Sequence, residues 1–514
     1  MPAEVARAEG EVVRVERQPE KPRLPGRLSG AVVWTAGSFA AVQVLTLARG
    51  VVLARILTPE DFGMYALGMA VVGFVATLGN TGISTFVTYQ QDDADRYAAS
   101  SFWISAALGL AMMVVLAGVG PLMGRLYHLP RLPLLVWCLA PGLFLQFISG
   151  VHTGMLRRRM RFGALAAITT TTNLVLFAVA ALLARAGHGY WALVYGALVS
   201  NALGLVLVAF ATKWIPPLRL HTELWRDISR FGLMFVGASL VWFVLLNLDN
   251  FLVSKVLGVS ALGIYSVAYN YAMLPSVAVA AVANMVVGPA LGAVRGEPAR
   301  FRDLYVRSSI ATALTAALVG TVLVASAPDL FRLAFGAKWD AAVVPFQILV
   351  VYGVLRTFFP DVLLPLGKVN VSFWLGVVTL PIVVAAILAG TRWGMVGVAV
   401  AACASLGVST FAYLPVISRL VGVPPSRMFW IAARVLAAAC TATAAGWALR
   451  VHEAGAGVAL LPRLASVVTL SAALFALLAA LLFPHLRQSL SALVRPAGGR
   501  SLTLDPADAG APGR

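Results

Sequence analysis

Several charges stand in this sequence where charge is costly. Arg49, Asp249, Arg356, Asp361 and Arg434 all fall inside long apolar runs. An ionisable side chain at the centre of a bilayer costs about 2.5–3.5 kcal/mol or more, so one retained there points to a function. Arg49 and Asp249 carry opposite signs at positions 200 residues apart. Two readings stand side by side. In one they face each other across a hydrated cleft, where Arg49 holds an anionic group and Asp249 gates it or carries a proton. In the other they form a static buried pair that locks two halves together. Arg55 and Lys255 lie near the ends of their runs, where a long cationic side chain snorkels to the headgroups and can catch a phosphate at an outer mouth. Asn270 and Tyr271, with Thr169–Thr172, Asn173 and Asn201, add uncharged hydrogen-bonding groups, suited to binding helix to helix or to contacting a sugar.

Other chemistries lack their residues. There is no G-x-x-x-x-G-K-[ST], no H-E-x-x-H and no C-x-x-C, and the 6 histidines are scattered. Cys138, Cys403 and Cys440 all sit in apolar runs, where a thiol is usually a small hydrophobe. No catalytic residue, metal site or cofactor is expected, and the chain is not read as an enzyme. Glu60 and Asp61 could be mistaken for catalytic carboxylates in an external loop. The string Leu57-Thr-Pro-Glu-Asp is better explained as a helix start, with Thr58 as N-cap, Pro59 at the first helical position and Asp61 at the third.

The elements that must position these groups follow from composition. Of 514 residues, 60% are hydrophobic and 12% charged, with a formal net charge of +18. Mean hydropathy is +0.87. A soluble surface takes about 25% charged residues, so the apolar surface must face lipid. Fourteen apolar runs between residues 30 and 483 are each near the ~20 residues that cross a bilayer. The expected fold is all-α and polytopic, with about 14 transmembrane helices. Placing the N-terminus in the cytoplasm puts 26 loop and tail cations on that side and ten on the other, which predicts both termini inside. The positive charge is thereby assigned to membrane topology, and no nucleic-acid partner is expected.

An offset of 200 residues also aligns the chain with itself: Ser29/Ser229, Gly37/Gly237, Val44/Val244, Leu45/Leu245, Leu57/Leu257, Gly63/Gly263 and Tyr65/Tyr265 are identical, and Arg55/Lys255 keeps the charge. Six spans separate the two units, so they share one orientation. This predicts two parallel six-helix lobes with a crevice between them. The expected organisation is a disordered cytoplasmic tail (1–28), an N-lobe (29–230), a C-lobe (231–422), two further helices (423–485) and a second disordered tail (486–514).

The strings LARILTPEDFGMYALGMAVVGF (53–74), LRRRMRF (156–162), NLDNFLVSKVLGVSALGIYSVAYN (247–270) and LAFGAKWDAAVVPFQIL (333–349) resemble the Wzx-type polysaccharide-biosynthesis flippases of the multidrug/oligosaccharidyl-lipid/polysaccharide exporter superfamily. The resemblance covers roughly residues 29–420. It implies a substrate made of polyprenyl pyrophosphate carrying a short glycan, moved from the cytoplasmic to the outer leaflet of a bacterial cytoplasmic membrane by alternating access, with proton or sodium coupling. Other implied partners are membrane lipids and the polymerase and glycosyltransferases of polysaccharide assembly. On this resemblance Arg49 and Arg55 match cationic positions of the first span, Lys255 is the repeat partner of Arg55, and Asp249 matches an acidic position of the seventh. With Arg356 and Asn270 they form the expected substrate-binding set. The alternatives are a small-molecule exporter of the same superfamily, which would want acidic cavity residues, and a membrane glycan polymerase or ligase, which would want catalytic carboxylates in a sizeable external loop.

Overall fold

The computed structural model describes residues 26–79, 94–217, 225–294, 296–359, 366 and 369–483. Both expected disordered tails lie almost wholly outside these residues, as do Pro360 and Asp361. Among the described residues the chain forms fourteen α-helices: α1 (Gly26–Ile56), α2 (Pro59–Gly79), α3 (Ala94–Tyr127), α4 (Leu132–Arg158), α5 (Phe162–Arg185), α6 (Trp191–Thr212), α7 (Trp225–Leu257), α8 (Val259–Ala293), α9 (Pro298–Ala334), α10 (Val343–Arg356), α11 (Val369–Gly390), α12 (Gly394–Val421), α13 (Pro425–Gly455) and α14 (Leu460–Leu482). Among the described residues eleven stretches are long and apolar enough to cross a membrane, one of which, Trp374–Val421, covers most of α11 and all of α12. The face at which α1 begins is called the near face and the face at which it ends the far face. Large apolar side chains such as Val114, Leu182 and Phe210 point outward, as a lipid-facing surface requires.

Helix ends depart from the apolar runs for identifiable reasons. The run predicts a ninth span over 308–328, yet α9 starts at Pro298 and ends at Ala334. Its near-face extension is held by exposed ion pairs, Arg300–Glu297 and Arg307–Asp303, both at 2.8 Å. Pairs at three and four residues support a helix that hydropathy does not detect. Conversely α10 stops at Arg356, short of the expected 366. Pro360 follows four residues on, and the residue before a proline disfavours helical backbone.

The turn between α1 and α2 shows how local sequence sets the architecture. Thr58 and Asp61 form a reciprocal cap: the Thr58 N–H and hydroxyl donate to Asp61 Oδ2 at 3.0 and 2.7 Å, and the Asp61 N–H donates to Thr58 Oγ1 at 3.2 Å. The other carboxylate oxygen accepts the Tyr190 N–H at 2.9 Å, which ties the α5–α6 loop to this turn. Gly189 stands against that oxygen with φ +53, a conformation and a space that suit glycine.

Within the N-lobe α3 packs on α4, α5 on α6 and α1 on α5. In the C-lobe α11 packs on α12 and α8 on α10. The lobes meet mainly where α2 lies against α8 and α7. The α2–α8 crossing is nearly two-fold symmetric. A Cβ on Gly63 would lie 1.9 Å from the Val259 carbonyl oxygen, and one on Gly263 would lie 1.7 Å from the Pro59 carbonyl oxygen. Residues 59 and 259, like 63 and 263, are equivalent in the internal repeat. The two helix starts therefore touch backbone to backbone at the far face, as small residues permit in membrane helices.

α13 and α14 dock on α9 through a buried charge cluster. Asp329 is 1% exposed. Arg450 Nε donates to Asp329 Oδ2 at 3.1 Å, while Arg463 donates through Nη2 to Oδ1 at 2.7 Å and through Nε to Oδ2 at 3.1 Å. Nearby, Ser466 donates to Glu453 Oε2 at 2.6 Å. Removing one member of a buried pair typically costs 3–5 kcal/mol. Asp329→Ala should therefore destabilise the chain by about 3 kcal/mol. In contrast, Asp340→Ala, which breaks an exposed pair with Arg332, should cost less than about 1 kcal/mol. Thermal unfolding in detergent compares the two; equal shifts would show that the Asp329 cluster does not hold the hairpin.

The glycine contact yields a second expectation. Gly263→Val should force the lobes apart at the far face, whereas Gly37→Val, with nothing within 4 Å, should not. Nitroxide labels on cysteines replacing the exposed far-face Arg185 and Arg392, in a chain freed of its native cysteines, report this by electron–electron distance. A longer distance is expected in Gly263→Val alone. An unchanged one would mean the contact does not set the far-face spacing.

Candidate functional site

The far face is sealed by contacts that each lobe makes on the other. The end of α1 is clasped by the end of α9 and the loop that follows. Arg55 Nε donates to the Ala334 carbonyl at 2.8 Å and its Nη2 to that of Leu333. In return, Lys338 Nζ donates to the Arg55 and Leu57 carbonyls at 3.0 and 2.7 Å, and Trp339 Nε1 to that of Ala54 at 2.9 Å. Trp339 is fully buried and meets the Phe62 ring edge-on with centroids 5.4 Å apart.

The end of α7 is clasped in the corresponding way by the end of α3. Lys255 donates to the Leu126 carbonyl and lies 5.8 Å from the Tyr127 ring centroid, while the Tyr127 hydroxyl donates to the Phe251 carbonyl at 3.2 Å. Arg55 and Lys255, equivalent in the repeat, each cap the third helix of the opposite lobe. The last carbonyls of a helix lack intrahelical partners and carry the negative end of its dipole, so a cation there is favourable. In this state both cations are engaged with backbone at the lobe junction.

Below the seal, toward the middle of the helices, the repeat places opposite charges. Arg49, half-buried on α1, lies within electrostatic reach of Tyr65 on α2 and Tyr271 on α8. It therefore stands at the junction of the lobes. The Tyr271 hydroxyl occupies the space where a side chain at position 50 would begin, and only glycine admits it there. In the equivalent position of the C-lobe, Asp249 is 7% exposed. Its Oδ2 accepts the Tyr265 hydroxyl at 2.8 Å and its Oδ1 the Asn250 N–H at 2.8 Å. Arg49 with Tyr65 and Asp249 with Tyr265 are thus two repeat-related pairs of opposite charge. The static Arg49–Asp249 ion pair weighed from the sequence is not formed.

Asp249 lines a cavity of about 690 Å³ inside the C-lobe, with walls from α7 to α12. Arg356, exposed at the near-face end of α10, lines the same cavity, as do Tyr269, Tyr352, Ser276 and Ser409. Tyr269 and Tyr352 are each within electrostatic reach of both Asp249 and Arg356. The lining runs from mid-helix at Asp249 toward the near-face helix ends at Thr357 and Ile417. Asn270 is exposed on α8 beside Tyr271 and does not contribute to this wall. Arg434 is exposed on α13, outside the cavity wall.

At the near face the basic loop after α4 does a structural task. Arg159 and Arg161 donate to the Thr212 and Ala211 carbonyls at 2.9 and 2.8 Å, capping α6, while His152 is buried against Thr212 Oγ1 at 2.9 Å. Arg157 stays exposed.

Sequence reasoning missed Tyr127, Lys338, Trp339 and Asp329. The first three act through backbone carbonyls, which no side-chain pattern announces. Asp329 stands one residue beyond the expected ninth span. An acid at that depth, with Arg450 and Arg463 at the ends of two flanking spans, was the available signal.

The chain has relatives among known proteins. It is 24% identical over 387 residues to the lipopolysaccharide biosynthesis protein WzxC of Escherichia coli (strain K12), covering 72% of this chain and 76% of that one. It is 26% identical over 414 residues to the succinoglycan biosynthesis transport protein ExoT of Rhizobium meliloti (strain 1021), covering 79% and 83%. Among solved structures it is similar to the lipid II flippase MurJ in an inward closed conformation, with a TM-score of 0.69, 11% identity, and 88% of this chain and 100% of that one covered. An inward-facing multidrug-resistance MATE family transporter of the MOP superfamily gives 0.56 at 17% identity, covering 74% and 95%. These two likenesses establish the fold, a polytopic helical membrane protein of the MurJ and MATE type. Residues 52–344, more than half of the sequence, match the polysaccharide biosynthesis protein family, and the chain belongs to that family.

Proposed function

We propose that this protein is a carrier that flips a polyprenyl-pyrophosphate-linked oligosaccharide from the cytoplasmic to the outer leaflet of the bacterial cytoplasmic membrane, for assembly of a surface polysaccharide. In this reading the near face and both termini are cytoplasmic. The observation that supports it best is the asymmetry of closure. Reciprocal backbone contacts between the lobes seal the far face, while the Arg49 junction and the Asp249–Arg356 cavity lie below the seal, toward the near face. A headgroup that enters from the near side meets an arginine and a hydroxyl-bearing wall and finds the far exit shut.

The physical task is to carry charge past hydrocarbon. An isolated ion costs tens of kcal/mol to desolvate, so an unaided pyrophosphate does not cross. Arg49 supplies charge for the pyrophosphate, and Arg356 supplies hydrogen-bond donors on the cavity wall for the rest of the headgroup. Asp249 and Asn270 contact other parts of the headgroup. Arg55 and Lys255 become available to phosphate once the lobes part, because the same movement frees them from the helix ends they cap. The prenyl chain stays in lipid throughout. Direction requires different affinity in the two states, with a proton or sodium gradient as the energy source. The polymerase and glycosyltransferases of the pathway supply and consume the lipid-linked unit.

Bond-making is the less favoured reading. Glu60 and Asp61, the acidic pair of the first far-face turn, are a helix start, with Asp61 committed to capping and to Tyr190. A small-molecule exporter of the same fold would be favoured by an acid-lined passage, whereas Arg49 occupies the lobe junction here. The test is flipping by the full chain in vesicles loaded with a fluorescent polyprenyl-pyrophosphate oligosaccharide. Wild type should redistribute intact substrate between leaflets, and Arg49→Ala should reduce the rate at least about tenfold, equivalent to 1.4 kcal/mol, with unchanged expression. Normal flipping by Arg49→Ala would remove that residue from the site. New glycosidic bonds in the same vesicles would replace the carrier reading by an enzyme.

A further inference from the structure

The C-lobe cavity has features that a pyrophosphate site should not have. Its volume of about 690 Å³ is in the range of pockets that enclose whole ligands, about 300–1,000 Å³. It is roughly twenty times the ~30 Å³ share of one water, far more than a bare ion fills. Its charges are one carboxylate, Asp249, and one guanidinium, Arg356, and the phenols of Tyr269 and Tyr352 share the wall with them. A pyrophosphate seated here would bring its own negative charges close to Asp249, and one arginine would not offset that repulsion. A neutral group rich in hydroxyls meets no such penalty.

We infer that this cavity is a saccharide subsite: it receives an uncharged, hydroxyl-rich part of the glycan of the headgroup, while the pyrophosphate stays outside it, at Arg49 on the lobe junction. The proposal rests on the carrier reading above and adds a division of the headgroup between two sites. The chemistry of the wall fits a sugar. Asp249 is fixed by the Tyr265 hydroxyl and the Asn250 N–H, which leaves carboxylate lone pairs to accept from adjacent sugar hydroxyls. Arg356 offers a planar fork of donors to ring and hydroxyl oxygens. Tyr269 and Tyr352 present aromatic rings to C–H faces of a pyranose and phenolic groups to its edge. Polar side chains such as Ser276 and Ser409 dot a wall that is otherwise apolar, the usual mixture of a small-molecule site. The internal repeat accounts for the division. Equivalent positions 49 and 249 carry opposite charges, each near an equivalent tyrosine, so the two lobes present different chemistry at matching places: an anion site in one and a hydroxyl site in the other.

The test uses the full chain in detergent and follows its thermal midpoint with separate probes: free D-glucose, D-galactose and N-acetyl-D-glucosamine, inorganic pyrophosphate, and sodium chloride against choline chloride. At least one sugar should raise the midpoint saturably. Asp249→Asn and Tyr352→Phe, both nearly isosteric, should weaken that response at least about tenfold and leave the pyrophosphate response intact. Arg49→Ala should do the reverse. Three results would overturn the subsite: no sugar raises the midpoint, the sugar response survives both cavity variants, or sodium alone stabilises the chain and Asp249→Asn abolishes that effect. Vesicle flipping by the wild type separates this failure from failure of the carrier reading. A chain that flips its lipid but binds no sugar remains a carrier without the subsite, whereas a chain that flips nothing loses the carrier reading itself.

Discussion

The architecture depends on two backbones that touch. At the far face the first turns of α2 and α8 lie so close that neither Gly63 nor Gly263 has room for a side chain. Around that crossing each lobe lends a cation to the open C-terminal carbonyls of the other, Arg55 to α9 and Lys255 to α3. These are hydrogen bonds to helix ends, worth little singly and collective in effect. Such a seal suits a protein that must open. Beneath these contacts the lobes share buried apolar surface, Met64, Leu67 and Val71 of α2 with Val253 and Leu262 of the other lobe, so parting them exposes apolar side chains as well as exchanging polar contacts for water.

The seal also explains why the interior can be polar. Groups such as Arg49, Asp249 and Arg356 are expensive in hydrocarbon, but they are affordable where neighbouring helices and an internal cavity supply partners. Asp249 is held by Tyr265 and a backbone N–H, and Arg49 sits beside two tyrosines. The Asp329 cluster follows a different logic. One carboxylate between Arg450 and Arg463 ties α13 and α14 to α9 of the C-lobe. The same residue types thus serve a lobe junction in one place and a buried dock in another: Arg55 and Lys255 reach helix ends of the opposite lobe, whereas Asp329 is matched by two arginines on the helices it docks.

Much of this could be read from the residues. Fourteen apolar runs correspond to fourteen helices, because crossing a bilayer demands both length and apolarity. The Thr58–Asp61 cap was legible because its chemistry is local. The repeat was legible from Gly63/Gly263 and Arg55/Lys255, although its meaning was not: equivalence in sequence does not say that the two glycines touch each other, or that each cation reaches across to the opposite lobe. Helix ends were misread where ion pairs extend α9 beyond its apolar run and where Pro360 cuts α10 short. Arg49 and Asp249 stand out in the sequence by the cost of a charge in an apolar run, but their partners depend on helix rotation, which an almost uniformly apolar sequence does not encode. Trp339 and Lys338 act on main-chain carbonyls, and such contacts emerge only when the chain is folded.

The central claim is that transport requires the far-face seal to break. The most direct measurement places cysteines at Arg55 and Leu333 in a chain freed of Cys138, Cys403 and Cys440, joins them with a short cleavable bis-thiol reagent, and follows lipid flipping in vesicles before and after cleavage. The account predicts that the joined protein is inactive and that cleavage restores its rate to that of the unjoined variant. Flipping at an undiminished rate with the two lobes held together would contradict it.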